Sequence, residues 1–172
     1  MIILPNRHTT TMECSCQCNT ITFLTPLPAP LNLYICHCLE CRKQSSSAFG
    51  ISAIFPTFTI GTCPHPSISR GRNFPYSLIY VAFLHHQTDS PHLSCYSRQT
   101  LKGRKLDCYF CQKCGSRLMH KCEGERMVSV KGGCIRGLSL QGVKHIWCKS
   151  AVVPVPKGVA RFEEEPPPHA RL

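Results

Sequence analysis

The cysteines of this sequence are grouped in short clusters whose spacing suits metal ligands. The clusters read C-S-C-Q-C over residues 14–18, C-H-C-L-E-C over 36–41 and C-Q-K-C over 111–114. In an oxidising compartment so many cysteines would suggest disulfides, whereas C-x-C and C-x-x-C spacings in a reduced protein indicate metal. Cysteines as close as Cys16 and Cys18 rarely bridge each other without strain. The pattern therefore favours a thiolate-bound metal, and zinc is the expected ion.

The first and third clusters can together supply four thiolates. Alternate residues of an extended segment share a face, so Cys16 and Cys18 can converge on one ion. The turn from Cys111 to Cys114 is followed by Gly115, which supplies the positive φ that so tight a turn often needs. These thiols could instead be incidental, and the C-x-x-C turn could be a redox pair, but without a β-α-β context zinc is favoured. Four thiolates would close the site and join distant parts of the chain, which is a structural role.

The middle cluster offers three ligands and no evident fourth. Cys36, Cys38 and Cys41 can occupy three corners of a tetrahedron, and three protein ligands with an open position are typical of catalytic zinc. His37 lies between two of these cysteines on a predicted extended stretch, so its side chain should point away from the ion.

Two questions about the middle cluster stay open at this point. Arg42 and Lys43 follow it directly and could either offset thiolate charge or bind an anionic substrate. Alternatively, a remaining cysteine closes the site as a fourth ligand. Cysteines that bind no metal are expected to be mostly small buried hydrophobic residues. The remaining cysteines are Cys14, Cys63, Cys95, Cys108, Cys122, Cys134 and Cys148.

Short strands and turns are expected to position these clusters in a mainly β fold. The chain has 14 prolines, which argue against long helices. Segments rich in β-branched or aromatic residues are separated by Gly, Pro or polar turns. The predicted strands cover residues 20–24, 33–38, 49–55, 93–98, 106–110, 116–121, 127–131 and 143–148. Residues 39–48 could begin a short helix, although their serine run weakens that prediction.

One domain is expected, because 172 residues suffice to bury a sizeable core. We predict a lead-in over residues 1–12, a zinc domain over 13–162 and a disordered tail over 163–172, where the sequence is acidic and then proline-rich. Residues 61–92 carry an apolar patch between flanks rich in His, Pro and Ser. This segment is predicted to be an insertion within the domain.

The net charge of +11 leaves several classes of partner open. Ionising seven thiols around two Zn²⁺ would lower it to about +8, so much of the cationic excess could simply balance thiolates. The remainder fits a solvated basic surface, nucleic acid or a small acidic ligand. Neither a membrane-length apolar run nor a secretory signal is seen, so we expect a cytoplasmic protein, with nuclear access left open. Glu40 and Asp107 remain as acid–base candidates, since no other catalytic motif occurs.

The order of the motifs resembles that of a known family. C-x-C with N-T-I-T-F precedes C-H-C-x-x-C-R-K-x-S-S-S-A-F, which is followed by Y-F-C-x-x-C-G-S-R-L, V-K-G-G-C-I and H-I-W-C-K-S. Over residues 13 to 162, with 61–92 standing outside the pattern, the chain resembles the glutathione-dependent formaldehyde-activating enzyme family. That family shares its domain with centromere protein V.

This resemblance implies a fold, two metal sites and an activity. The implied fold is a β-tent of small antiparallel sheets with two zinc sites. The structural zinc would bind Cys16, Cys18, Cys111 and Cys114, and the catalytic zinc Cys36, Cys38 and Cys41. The implied activity adds the glutathione thiol to formaldehyde and is formally that of a carbon–sulfur lyase in reverse, with glutathione and a small aldehyde as substrates. Arg42, Lys43 or members of the basic run 98–105 could bind the glutathione carboxylates.

Two other functions stay open. A non-enzymatic zinc module that binds nucleic acid or protein would agree with the positive charge, although the cations are spread along the chain and no aromatic platform is evident. Alternatively, the fold is kept but the 61–92 segment has disabled it. That segment could be a genuine loop or a translated stretch that splicing normally removes.

Overall fold

The computed structural model describes residues 11–60 and 91–167. Within these ranges the chain is mainly β, with a two-stranded sheet, a seven-stranded sheet and a short α-helix. This confirms the predicted mainly β fold with antiparallel sheets. The elements are β1 Glu13–Ser15, β2 Thr22–Leu24, β3 Asn32–Cys36, α1 Leu39–Ser45, β4 Gly50–Pro56, β5 Leu93–Gln99, β6 Lys105–Cys111, β7 Arg117–Cys122, β8 Met127–Lys131 and β9 Lys144–Ile146.

The large sheet has the strand order β5-β6-β7-β8-β4-β3-β9. All its neighbouring strands are antiparallel except β3 and β9, which run parallel. The strands β1 and β2 form the separate antiparallel pair. The middle cysteine cluster therefore begins where β3 ends, near one side of the large sheet, and the C-x-x-C turn lies between β6 and β7.

The two faces of the large sheet differ in polarity. Successive strand residues point to opposite faces, so the register assigns each side chain to one of them. One face buries the apolar core, which includes Leu33, Ala53, Phe55, Met119, Val128 and Val130. The opposite face, here called the polar face, carries Tyr34, Cys36, Ser52, His120, Ser129 and Lys131. The first cysteine of the middle cluster, Cys36, therefore lies on the polar face.

An extra residue in β7 shifts the register between β6 and β7. Tyr109 pairs with Met119, but Phe110 pairs with Arg117, so Leu118 has no opposite residue on β6. In a regular strand Arg117 and Met119 would share the apolar face, because they are two positions apart. The bulge instead places Arg117 on the polar face.

The helix α1 begins and ends at side chains that bond to its own backbone. Cys38 precedes it, and its Sγ accepts a hydrogen bond from the Cys41 N–H at 3.4 Å. At the other end, the Ser45 hydroxyl donates to the Cys41 carbonyl at 2.8 Å, and Ser46 adopts a left-handed conformation with a φ of 48°. Serine hydroxyls compete with the helical backbone in this way. The helix therefore begins in the segment over 39–48, as expected, and ends within its serine run at Ser45.

The predicted strands agree with the structure apart from two local differences. The pattern missed β1, because a three-residue strand of sequence E-C-S has no hydrophobic run to reveal it. The strand predicted over 143–148 is shortened to Lys144–Ile146. Trp147 has a left-handed φ of 59°, and a 3-10 turn at Cys148–Ser150 follows it.

Several predictions about the ends and the insertion lie outside the described residues. These are residues 1–10, nearly all of the 61–92 segment, and 168–172. Part of the predicted disordered tail nevertheless contacts the domain, since the Trp147 N–H donates to the Glu164 carbonyl at 3.1 Å. Lys102 Nζ also lies 2.7 Å from Glu165 Oε2. No helix in the described ranges is long and apolar enough to cross a membrane.

Candidate metal centres

Four cysteines from distant parts of the chain meet beside the apolar core. The sulfur atoms of Cys16, Cys18, Cys111 and Cys114, here called the four-cysteine cluster, all lie within 4.8 Å of one another. Cys16 Sγ is 3.5 Å from Cys18 Sγ, which is 3.8 Å from Cys111 Sγ. The second pair spans the end of β6 and the turn before β7, where Gly115 has a φ of 73°. The cluster is therefore assembled as predicted, with a spacing that suits tetrahedral thiolate coordination.

Hydrogen-bond donors surround the sulfur atoms of the four-cysteine cluster. The Ile21 N–H donates to Cys16 Sγ at 3.3 Å, and the Ser116 hydroxyl lies 3.3 Å from Cys114 Sγ. The hydrogen bond between Cys114 and Ser116 lowers the pKa of Cys114 to about 5, whereas burial raises the pKa of Cys16 to about 11. Donors aimed at sulfur stabilise the thiolate, which is the form that binds a metal. The donor set therefore fits an ion such as Zn²⁺.

Three further cysteines converge where β3 meets α1. Cys36 ends the strand, Cys38 caps the helix and Cys41 lies in its first turn. Their sulfur atoms, here called the three-cysteine cluster, lie within 4.8 Å of one another. No other Cys, His, Asp or Glu joins them within residues 11–60 and 91–167. A tetrahedral ion held by these residues would have one position left for a substrate. The alternative of a site closed by a leftover cysteine has no support there, and Cys63 lies outside those ranges.

Hydrogen bonds within the three-cysteine cluster separate the pKa values of its thiols. The Cys36 and Cys41 thiols donate to the Cys38 sulfur and hold the pKa of Cys38 well below its usual range. The same contacts, together with burial, raise the pKa of Cys36. Cys38 is also the least buried of the three. Before metal binding, the arrangement therefore favours one thiolate on Cys38, held by two neighbouring thiols.

His37 points away from the three-cysteine cluster, as its position between two ligands predicts. It is only 1% exposed, and its Nε2 lies 3.0 Å from Nδ1 of His145. The two rings stack with their centroids 5.3 Å apart. His37 therefore joins β3 to β9 and is not the missing fourth ligand.

A buried lysine adjoins the three-cysteine cluster on the polar face. Lys131 is 7% exposed, and its Nζ donates to Ser52 Oγ at 3.4 Å. Burial lowers the pKa of Lys131 to about 8, and the negative charge of Cys41 and Cys36 opposes this shift. Three thiolates leave a divalent ion with a net negative charge, which an ammonium group at this position would offset.

A cavity of about 240 Å³ adjoins α1 and is here called the basic cavity. Its lining residues are Glu40, Lys43, Gln44, Tyr96, Arg98 and Arg117. Lys43 Nζ lies 3.3 Å from Glu40 Oε1, and Arg98 Nε lies 4.0 Å from Glu40 Oε2. Arg42 instead lines an open depression with Leu39 and Val152. Lys43 lines both the basic cavity and this depression, whereas Arg42 lines only the depression.

The two acid–base candidates both have ionic partners. Glu40 contacts Lys43 and Arg98 in the basic cavity. Asp107 accepts a hydrogen bond from Ser97 Oγ at 2.6 Å and lies 3.2 Å from Lys105 Nζ. The hydrogen bond from Ser97 lowers the pKa of Asp107, so this carboxylate stays ionised at neutral pH.

Comparison with known proteins identifies the family. A family model described as "Glutathione-dependent formaldehyde-activating enzyme" matches residues 11–63 and 63–150, which is most of the chain. The chain belongs to this family. A crystal structure of a Rhodobacter sphaeroides protein is similar over 74% of this chain and 91% of that chain, at 16% identity and a TM-score of 0.46. A search of curated proteins gives no match.

The remaining cysteines of this glutathione-dependent formaldehyde-activating enzyme family member are less buried than predicted. Burial is confirmed for two and is incomplete for the other four described. Cys14 and Cys108 are buried, Cys122, Cys134 and Cys148 are half-buried, and Cys95 is exposed. A cysteine count alone therefore overstates how many thiols belong to the core.

Sequence analysis singled out neither Lys131 nor Arg117 as a site residue. They lie in V-K-G-G-C-I and Y-F-C-x-x-C-G-S-R-L respectively, two of the motifs on which the resemblance to the family rests. Their place in those motifs was the feature of the sequence that could have indicated a role at the site. Their contacts depend on strand register and on the bulge at Leu118, neither of which a linear pattern reveals.

Proposed function

We propose that this chain is a zinc-dependent enzyme that joins the glutathione thiol to formaldehyde or a related aldehyde. Formally this is carbon–sulfur lyase chemistry in the reverse direction. The observation that carries the proposal is the three-cysteine cluster, whose three sulfur donors have no fourth protein ligand in the described parts of the chain. Membership of the glutathione-dependent formaldehyde-activating enzyme family supports the same reading.

The two clusters have different roles in this proposal. Cys16, Cys18, Cys111 and Cys114 hold a structural Zn²⁺ with a complete set of four thiolates. Cys36, Cys38 and Cys41 hold a second Zn²⁺ and leave a position for the substrate sulfur. Zn²⁺ held there supplies positive charge that favours the thiolate of glutathione over its thiol.

The protein's own residues arrange the substrates and balance the charge. In the addition, sulfur bonds to the aldehyde carbon, the carbon–oxygen π bond opens and the thiol proton ends on the new hydroxyl. Lys131 offsets the negative charge of the three thiolates and so limits its repulsion of the incoming sulfur. Glutathione has two carboxylates and one ammonium, so the cations beside α1 favour its approach.

Metal content and reaction rate test this function. Purified protein should contain two zinc ions per chain, and Cys38→Ser and Cys114→Ser should each remove one. Exchange NMR of a glutathione and formaldehyde mixture should show faster formation of the adduct with the native protein. With Cys38→Ser the rate should fall to that of the uncatalysed reaction. Cys95→Ser is the matched control, because this exposed cysteine belongs to neither cluster.

The same samples separate the proposal from its main alternative. A single zinc per chain, or no acceleration by the doubly loaded protein, would contradict the enzyme. If that protein instead bound DNA in a strongly salt-dependent manner, a non-catalytic zinc module would be the better description.

A further inference from the structure

We infer that the basic cavity is a carboxylate-binding site centred on Arg117, which selects anionic thiols for reaction at the three-cysteine cluster. The inference rests on the proposed function for its reaction, and it goes further by assigning the residues that choose the substrate. The ligand class is a thiol that carries at least one carboxylate.

The β7 bulge is the first observation that supports this site. Because Leu118 is the extra residue, Arg117 lies opposite Phe110 and points to the polar face. There its guanidinium packs over the ring of Tyr96, with Cζ 4.7 Å from the ring centroid. Bulges commonly redirect a side chain next to a functional site. The bulge in β7 therefore lies at the residue next to Arg117 and directs this cation into the basic cavity.

The partners of Arg117 are neutral, which is the second observation. Its Nη1 donates to Gln44 Oε1 at 3.3 Å, and its Nη2 donates to the Tyr96 hydroxyl. Among the described residues no carboxylate pairs with Arg117, whereas Lys43 and Arg98 both contact Glu40. Three cations and one carboxylate leave the cavity with an excess of positive charge. A half-buried guanidinium held in place by neutral groups is ready to bind an incoming carboxylate.

The cavity is also connected to the three-cysteine cluster by direct packing. Gln44 lies one helical turn after Cys41 on α1. A Cβ added at Gly50 would lie 3.1 Å from the Cys41 Cβ and 3.4 Å from Gln44 Nε2, so these residues are close neighbours. Gln44 Nε2 is buried and has no hydrogen-bond partner among the described residues. Gln44 therefore joins the arginine in the cavity to a cysteine of the cluster and keeps a donor available there.

These contacts specify how an anionic thiol would bind. A carboxylate meets Arg117 and the neighbouring Arg98, while the thiol of the same molecule reaches the three-cysteine cluster. A cavity of about 240 Å³ accommodates the arm of a small peptide rather than a folded partner. Arg42 is not among the residues that line the basic cavity, so the inference assigns it no contact with the carboxylate.

Binding measurements with a matched pair of thiols test the inference. Calorimetry on zinc-loaded protein should give tighter binding for glutathione than for its diethyl ester, which keeps the thiol but has no free carboxylate. Arg117→Gln should weaken glutathione binding roughly tenfold to hundredfold, the loss expected for one charge-assisted contact, and leave the diester nearly unchanged. Arg98→Gln should have a smaller effect of the same kind and serves if Arg117→Gln fails to fold. The control is Arg136→Gln, which removes an exposed arginine paired with Glu13.

The outcomes distinguish the cavity from the proposed reaction. Equal binding of glutathione and its diester would overturn the inference, as would weakening by Arg42→Gln without any by Arg117→Gln. For the reaction itself, cobalt-loaded protein is treated with neutral 2-mercaptoethanol, whose sulfur can reach the cluster without using the cavity. If 2-mercaptoethanol changes the cobalt spectrum but Arg117→Gln does not weaken glutathione binding, only the role of the basic cavity is refuted. Arg117-dependent glutathione binding without any spectral response supports the cavity and contradicts the reaction.

Discussion

Lys131 is a buried lysine, and the negative charge nearest to compensate it is that of the thiolates in the three-cysteine cluster. Among the described residues its hydrogen-bond partner is the neutral hydroxyl of Ser52, so no carboxylate compensates its charge. A buried unpaired ammonium is costly, and its pKa is accordingly lowered to about 8. When three thiolates form around an ion, their negative charge favours the protonated lysine again. Lysine and metal site should therefore stabilise each other.

Replacing Lys131 with methionine should weaken metal binding at one cluster only. Methionine fills similar space without the charge, so the loss is expected to be electrostatic. We expect the zinc affinity of the three-cysteine cluster to fall roughly tenfold to hundredfold, as for other residues that surround metal ligands. A zinc titration against a competing chromophoric chelator measures both clusters in one experiment. The four-cysteine cluster is the internal reference, and equal weakening of both sites would contradict a specific role.

At this scale the sequence indicated the cysteines, and among the cations of the basic cavity it indicated Lys43 and the run that contains Arg98, but it did not indicate Arg117. The spacing C-x-C-x-x-C brings three sulfur atoms together through local geometry alone, because one strand end and one helical turn contain them all. Arg117 reaches the basic cavity through strand pairing and a bulge, which linear spacing does not encode. Arg42 was predicted either to offset thiolate charge or to bind an anionic substrate, and in the structure it lines the open depression and not the basic cavity.

Among the elements, the β1–β2 pair is the one that we expect an ion in the four-cysteine cluster to stabilise most. Each strand has three residues, and an isolated hairpin of that size is at best marginally stable. Its described links to the large sheet include the Gln17 N–H donating to Ser116 Oγ at 3.0 Å and the Arg136 N–H donating to the Glu13 carbonyl at 2.8 Å. The four-cysteine cluster adds a connection across 93 residues of sequence. An ion there would hold the hairpin against the β6–β7 turn.

Loss of the structural ion should therefore loosen a defined part of the chain. In Cys114→Ser we expect faster amide hydrogen exchange in residues 13–24 and 111–116, with smaller changes in β3 and β4. Exchange followed by mass spectrometry gives this map at peptide level. Cys38→Ser is the matched control, since it disturbs the other cluster and should leave residues 13–24 protected. Exchange that increases evenly over the whole domain would argue against a local structural role.

Element prediction was accurate where hydrophobic pattern and turn residues agree. The strands β4, β6 and β8 carry alternating or continuous apolar residues, and their predicted bounds differ from the observed ones by few positions. The strand β1 has no such pattern, and it is a strand because it pairs with β2. The left-handed Trp147 ends the strand predicted over 143–148, although tryptophan gives no signal for such a turn.

Over the whole molecule, we expect buried histidines to make the fold sensitive to acid. His120 lies opposite Ser129 across β7 and β8, and its Nδ1 is buried without a hydrogen-bond partner among the described residues. Burial lowers the pKa of His120 well below 6.5, and burial also lowers the pKa values of His37 and His145. In the unfolded chain a histidine has a pKa of about 6.5. Below that pH the unfolded chain binds more protons than the folded one, so stability present above it is lost as the pH falls.

The free energy of unfolding should thus decrease between pH 7 and pH 5, with a slope that approaches roughly 1.4 kcal/mol per pH unit below pH 6.5 for each histidine that stays neutral when folded. His120→Gln should reduce this slope by about one such contribution, although it can lower stability at pH 7. Urea unfolding at several pH values measures this slope. Loss of metal in acid should lower the stability of the native chain and of the variants by the same amount, so it does not affect their comparison. Ser129→Ala is the control, because it alters the same contact without removing a titrating group. An unchanged slope in His120→Gln would show that His120 does not resist protonation in the folded chain.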